Sequence, residues 1–164
     1  MFLEHLVNML KGVPASWLTV IISASPIAEL RGAIPVAIYL KQPALQTYIL
    51  AVMGNFLPVI PLLYLLDPVS ERLRKFKLWR GFFDWLFERT KKKAALVQKY
   101  EALGLMLFVA IPLPVTGVWT GCVAASLFKI KRHYAILAVT AGMMIAGTIV
   151  TFLTLMGKMA FTLN

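Results

Sequence analysis

Apolar positions in this chain fall into long uninterrupted runs, not at the two-residue spacing of a half-buried strand or the 3.6-residue spacing of a soluble amphipathic helix. No charged residue occurs from Gln42 to Leu66, from Ala102 to Phe128, or from Tyr134 to Gly157. Each run exceeds the roughly 20 residues a helix needs to cross the hydrocarbon core. A fourth run, Gly12 to Leu40, is interrupted only by Glu29 and Arg31. The pattern predicts an integral membrane protein.

The runs group into two halves of similar pattern. Each half has a short amphipathic lead-in, an apolar run broken by proline and glycine, a basic punctuation and a plainer apolar run. In the first repeat, residues 1–66, these are residues 2–11, about 12–40, Lys41 and 44–66. In the second, residues 102–164, a lead-in at about 91–103 precedes a broken run at about 104–128, then Lys129 to His133 and 134–157. Corresponding broken segments in two halves point to a transporter built from repeats.

The connector, residues 67–101, carries ten basic residues from Arg72 to Lys99. The excess of positive charge in cytoplasmic loops places it in the cytoplasm. Lys129, Lys131 and Arg132 belong on the same side by the same rule. The run 104–128 then begins and ends on one face, as a re-entrant hairpin does, and 134–157 crosses outward. The first run is read as a hairpin from the opposite face, with 44–66 crossing inward. The expected fold is therefore an all-α polytopic membrane protein: an inverted repeat with two re-entrant hairpins, two crossing helices and interfacial amphipathic helices. Both termini lie outside. Four plain spans with both termini inside form the alternative, which puts Lys129 to Arg132 outside.

Tyr39, Tyr48, Tyr64, Tyr100 and Tyr134 fall near the expected segment ends, where amphipathic rings favour the headgroup region. Within the connector, Phe76, Trp79, Phe83 and Leu86 recur at helical spacing among basic residues. That predicts a helix lying in the inner interface.

Composition narrows the function classes. Hydrophobic residues make up 60% and charged residues 15% of the 164, and the net charge is +10. Since the basic excess sits in loops between apolar runs, it points to membrane topology and not to nucleic acid. Cys122 is the single cysteine, inside an apolar run, and reads as packing. His5 and His133 have no metal-ligand spacing, and there is no nucleophile motif; neither a metal, a cofactor nor an enzyme activity is expected. The start of the chain lacks the basic region and cleavage site of a signal peptide, so residues 1–12 are read as mature protein.

The candidate chemistry sits in the broken segments. Pro26, Gly32 and Pro35 flank Glu29 and Arg31, and are expected to prevent a regular helix there. An ionisable pair at membrane depth is expensive unless it faces protein, water or substrate. Arg31 offers a planar fork for phosphate or carboxylate. A desolvated Glu29 is suited to take up and release a proton near neutral pH. A buried pair that only shapes the hairpin is the bland alternative. The second broken segment holds Pro112, Pro114, Thr116, Gly117, Trp119 and Thr120, whose freed amides and hydroxyls suit an anion or the shell of an ion. Gly117 and Gly121 have the spacing of close helix packing. Asn55, near mid-membrane where Gly54 to Pro61 breaks the first crossing helix, either bonds a freed carbonyl or faces the Glu29 cavity.

The Glu29-Leu30-Arg31-Gly32-Ala33-Ile34-Pro35 stretch, together with Ala110 to Pro114, Thr116-Gly117 and Trp119-Thr120-Gly121, resembles the small multidrug export protein family of bacteria and archaea. Gly54-Asn55, Leu57-Pro58, the basic connector and Lys99-Tyr100 extend the resemblance over nearly the whole chain. That family in turn resembles the DedA membrane proteins, whose superfamily is associated with re-entrant hairpins, inverted repeats and lipid movement. The resemblance implies undecaprenyl phosphate or another anionic lipid as a partner and protons as the coupling ion. DedA proteins tend to carry an arginine associated with the second hairpin. Here no charge lies between Glu101 and Lys129, and a second Arg31 would have to come from another subunit.

The sequence thus leads to a multi-pass transporter of the inner or plasma membrane, moving an amphipathic, phosphate-bearing lipid between the hairpins. Two alternatives stand beside it: a proton-coupled exporter of small cationic drugs, and a non-transporting membrane assembly factor. Two hairpins and two spans provide little protein to shield broken backbone from lipid, which predicts a homodimer or larger homo-oligomer.

Overall fold

The computed structural model describes residues 14–73, 95–112 and 116–162. The lead-in at 2–11, the interfacial aromatics Phe76 to Leu86 and Pro114 lie outside the described residues. Within them the chain is all-helical: α1 (Ala15–Ala24), α2 (Glu29–Tyr39), α3 (Ala44–Phe56), α4 (Val59–Leu73), α5 (Ala95–Ala110), α6 (Val118–Leu127) and α7 (Arg132–Thr162). Two stretches are long and apolar enough to cross a bilayer, Ala44–Leu66 with 23 residues and Arg132–Ala160 with 29. At 1.5 Å per residue they reach about 35 and 44 Å, against a hydrocarbon core of about 30 Å. By contrast α1, α2 and α6, with 10, 11 and 10 residues, reach about 15 to 17 Å. Both long stretches expose large apolar side chains, among them Leu45, Ile49, Met53, Phe152 and Leu153. A surface of that kind is stable against lipid tails and not against water.

The described chain forms two compact units, one of Met1–Asn55 with Gly147–Asn164, the other of Phe56–Ala146. In the first, α1 and α2 make a helical hairpin. Its turn is organised by Ser25, whose hydroxyl donates to the Ile22 carbonyl (2.8 Å) and accepts from the Ala28 amide (3.3 Å). Pro26 lies in this turn, as expected of a helix breaker. Gly32 and Pro35 do not break the chain. Gly32 sits in the first turn of α2, its amide bonded to the Ala28 carbonyl at 2.9 Å, and Pro35 lies inside α2. Proline in an apolar helix is tolerated where neighbouring groups satisfy the backbone it frees.

The open end of this hairpin is closed by uncharged polar groups. The Gln42 side-chain amide lies 3.1 Å from Ser16 Oγ, 2.9 Å from Thr19 Oγ1 and 3.4 Å from Thr47 Oγ1. Thr19 and Thr47 are fully buried. Residues 16 and 19, where the hairpin begins, therefore meet residue 42, where it ends. Further along, α1 packs on α3 through Gly54. A Cβ at Gly54 would stand 2.5 Å from the Val20 carbonyl oxygen and 3.0 Å from Ser23 Cβ. These contacts run in register, so α1 and α3 are parallel and end side by side.

In the second unit α6 packs against both α4 and α5. Gly121 of α6 admits Val109 of α5, and Gly142 of α7 admits the Met106 carbonyl, 2.5 Å from where a Cβ would be. The glycine spacing expected to serve packing does so at Gly121. Helix α5 is kinked at Glu101, which has the left-handed φ of 47°.

Two corners 88 residues apart share one local geometry. Lys41 and Lys129 both have left-handed φ, 63° and 52°. Both close a Schellman motif: Gln42 N–H bonds Ala37 O (3.0 Å) and Lys41 N–H bonds Ile38 O (3.1 Å), while Ile130 N–H bonds Ala125 O (2.9 Å) and Lys129 N–H bonds Ser126 O (3.1 Å). Burial agrees on this interval at eight positions and departs from it at others, as at Val36, which is exposed, and Ala124, which is buried. Leu30, Ala33, Ile34 and Ala37 of α2 match Val118, Gly121, Cys122 and Ala125 of α6; Thr47, Ala51, Gly54 and Asn55 of α3 match Ala135, Val139, Gly142 and Met143 of α7.

Candidate functional site

Glu29 opens α2 directly after the turn at Pro26. It is buried, and its φ of 50° is one that residues with a side chain seldom adopt. Backbone in that region costs about 1–3 kcal/mol and persists where surrounding packing over-determines it. Glu29 and Arg31, two apart in sequence, lie within electrostatic reach of each other. Arg31 is half-buried. Beside them Ile27 projects from the turn 95% exposed. A charged pair thus sits at a helix break directly behind an apolar tip.

Asn55, the polar residue expected near mid-membrane, is fully buried, and among the described residues neither its Oδ1 nor its Nδ2 has a hydrogen-bond partner. It therefore bonds no freed carbonyl among the described residues. Ser23, next to the Gly54 contact, is likewise fully buried, with an Oγ that has no partner among the described residues. Sequence reasoning missed Ser23. Each such group costs about 1–3 kcal/mol of uncompensated desolvation. It also missed the Gln42 cluster with Ser16, Thr19 and Thr47. The signal available was three uncharged polar residues within six positions, Gln42, Gln46 and Thr47, beside a helix end.

The second broken segment is built differently. The Thr116 hydroxyl donates to the Ile111 carbonyl at 2.9 Å. The Thr120 hydroxyl accepts from the Gly117 amide at 2.9 Å and reaches the Gly117 carbonyl at 3.3 Å, which caps the start of α6. Both hydroxyls are engaged in the local backbone. Pro112 stands at the end of α5, Gly117 is buried beside Thr116, and Trp119 is half-buried in the first turn of α6. At the 88-residue interval Glu29, Arg31 and Asn55 correspond to Gly117, Trp119 and Met143, and Gln42 corresponds to Ile130. The first half is polar where the second is apolar.

The described residues contain no group of three or more histidine, cysteine or acidic side chains able to hold a metal ion. A family model described as "Putative small multi-drug export protein" matches residues 29–149, from the carboxylate of the first hairpin into α7. No curated protein and no solved structure matches the chain.

Proposed function

We propose, from the premise that this chain belongs to the small multi-drug export protein family, a membrane transporter whose substrate centre is the Glu29–Arg31 pair at the tip of the first hairpin. The family assignment supports export as the activity. The observation that carries the placement is the pair itself: a buried carboxylate held in left-handed backbone beside a half-buried guanidinium, at a helix break in an otherwise apolar run. Maintaining that arrangement against lipid is costly, and a purely apolar turn would close the hairpin as well.

The membrane arrangement we infer is the inverted repeat: two re-entrant hairpins, α1–α2 and α5–α6, and two crossing segments. Half-length helices support it, because two helices of about 15 Å reach the middle of the core and return. The Gln42 cluster supports it too, by tying the beginning of the first hairpin to its end. The 88-residue interval in capping and burial supports descent of the two halves from one unit.

Arg31 favours an anionic head group, since its fork binds phosphate or carboxylate and cannot lose its charge. The exposed apolar tip favours a substrate with a tail. The substrate class is therefore an amphipathic anion such as a phosphate-bearing lipid, with Glu29 carrying a coupled proton. The chain acts in the inner or plasma membrane as a homo-oligomer, with the basic connector cytoplasmic, and as a carrier, not an enzyme. The family's description favours a second reading, export of small cationic drugs with Glu29 as the exchange site.

One reconstitution separates the two. Purified protein in proteoliposomes is assayed for scrambling of a fluorescent anionic phospholipid and for efflux of ethidium. Lipid movement that exceeds empty vesicles and disappears in Arg31→Gln supports the first reading. Ethidium efflux that survives Arg31→Gln and disappears in Glu29→Gln replaces it with the second.

A further inference from the structure

Asn55 and Ser23 are buried polar groups whose side-chain polar atoms have no hydrogen-bond partner among the described residues. At the position corresponding to Asn55 in the second half stands Met143, equally buried, in the same relation to a glycine that admits a helix. The architecture accepts an apolar side chain there. Asn55 instead presents an unpartnered carbonyl and amide, and Ser23 an unpartnered hydroxyl one helix away.

Their surroundings set the sign of a ligand. Because α1 and α3 are parallel, and Ser23 of α1 lies against Gly54 of α3, the two helices bring their carboxyl ends together. Helix carboxyl ends carry partial negative charge and attract cations. Pro58, four residues after Gly54, has no N–H to offer the Gly54 carbonyl. Hydroxyl, amide and carbonyl oxygens are hard, neutral ligands. With no carboxylate pair among them they suit a monovalent ion, whereas a divalent ion needs several charged oxygens.

We propose that Ser23 Oγ, Asn55 Oδ1 and the freed carbonyl of Gly54 form a site for a partly hydrated monovalent cation of sodium size. A water carried with the ion accepts from Asn55 Nδ2. The site stands independently of the transport reading, because it is measured on the folded protein without substrate.

The test is thermal unfolding of the purified full-length chain in detergent, in NaCl, KCl or choline chloride at constant ionic strength. Sodium at tenfold excess over its Kd is expected to raise Tm by about 3–6 °C over choline. Asn55→Met, which installs the residue of the second half, is expected to raise Tm in choline and to abolish the sodium increment. Ser23→Ala keeps the packing and is expected to reduce the increment, and sodium titration calorimetry should show weakened binding in step. Should Asn55→Met fold poorly, Ser23→Ala and calorimetry decide alone. Equal Tm in all three salts overturns the proposal and leaves the orphaned groups to water. So does an undiminished sodium increment in both variants.

Discussion

The guanidinium of Arg132 lies over the ring of Tyr64, 4.9 Å from its centroid. Tyr64 stands near the end of the first long apolar stretch and Arg132 at the start of the second. Both side chains belong at a membrane–water boundary, where an aromatic ring and a cation stabilise each other by about 0.5–2 kcal/mol. Their contact brings the end of the first stretch against the start of the second, and in the inverted-repeat arrangement proposed above both lie on one face. The chain between them, residues 65–131, then starts and finishes there. Single cysteines introduced in a Cys122→Ala background check this with impermeant thiol reagents. Asp67→Cys and Lys129→Cys should react from the same side, and Lys158→Cys from the other. Four plain spans require Lys129→Cys and Asp67→Cys to react from opposite sides.

Three glycines on long helices should respond differently to alanine. At Gly54 a methyl group meets the Val20 carbonyl oxygen at 2.5 Å and Val20 Cα at 2.9 Å; at Gly142 it meets the Met106 carbonyl oxygen at 2.5 Å. Backbone atoms cannot rotate away, so each substitution should destabilise by about 1–3 kcal/mol. At Gly157 nothing among the described residues lies within 4 Å, and alanine should stabilise by up to about 1 kcal/mol through helix propensity. Thermal melts of the three variants in one detergent rank them. An unaffected Gly54→Ala would remove the close contact between α1 and α3.

Much of this fold is legible in the sequence, for a simple reason. Charge is excluded from lipid, so charge-free runs mark the apolar helices: the expected stretch at 44–66 coincides with the candidate span Ala44–Leu66, whereas the equally charge-free 102–128 is divided between shorter helices. Pro26 marks the hairpin turn because its ring cannot continue α1. Pro35 misleads, because whether a proline breaks a helix depends on what satisfies the carbonyl it frees. The candidate site is less legible. Glu29 and Arg31 stand out as charges in an apolar run. Ser23 and Asn55 do not, since a missing hydrogen-bond partner is a property of three-dimensional packing. The hydroxyls of Thr116 and Thr120 look available in one dimension and bond their own backbone in three, as short polar side chains near helix ends commonly do.

The two Schellman motifs offer a matched test. Lys41 and Lys129 occupy the left-handed position that glycine fills without steric cost. Lys41→Gly and Lys129→Gly should each stabilise the folded chain by about 1 kcal/mol. Lys129→Gly also removes one charge beside Lys131 and Arg132, so its effect on insertion is read separately from expression in membranes. Melting both variants in detergent isolates the backbone term. A loss of stability at both positions would mean that the lysine side chains, and not the backbone, hold these corners.

The Glu29–Arg31 pair makes the most direct prediction about transport. Arg31→Lys keeps the charge and loses the planar fork, so apparent affinity for an anionic substrate should fall about tenfold while the response to pH persists. Glu29→Gln keeps the shape and removes titration, so transport should lose its pH dependence while substrate still binds. A pair that only shapes the hairpin behaves otherwise. Breaking either partner then strands a buried charge, at a cost of about 3–5 kcal/mol, and both variants lose folded yield together. Size-exclusion chromatography separates loss of fold from loss of transport. Proteoliposome flux measured across a pH series separates affinity from coupling. If both variants fold and move substrate with unchanged affinity and unchanged pH response, the substrate centre lies elsewhere in the chain.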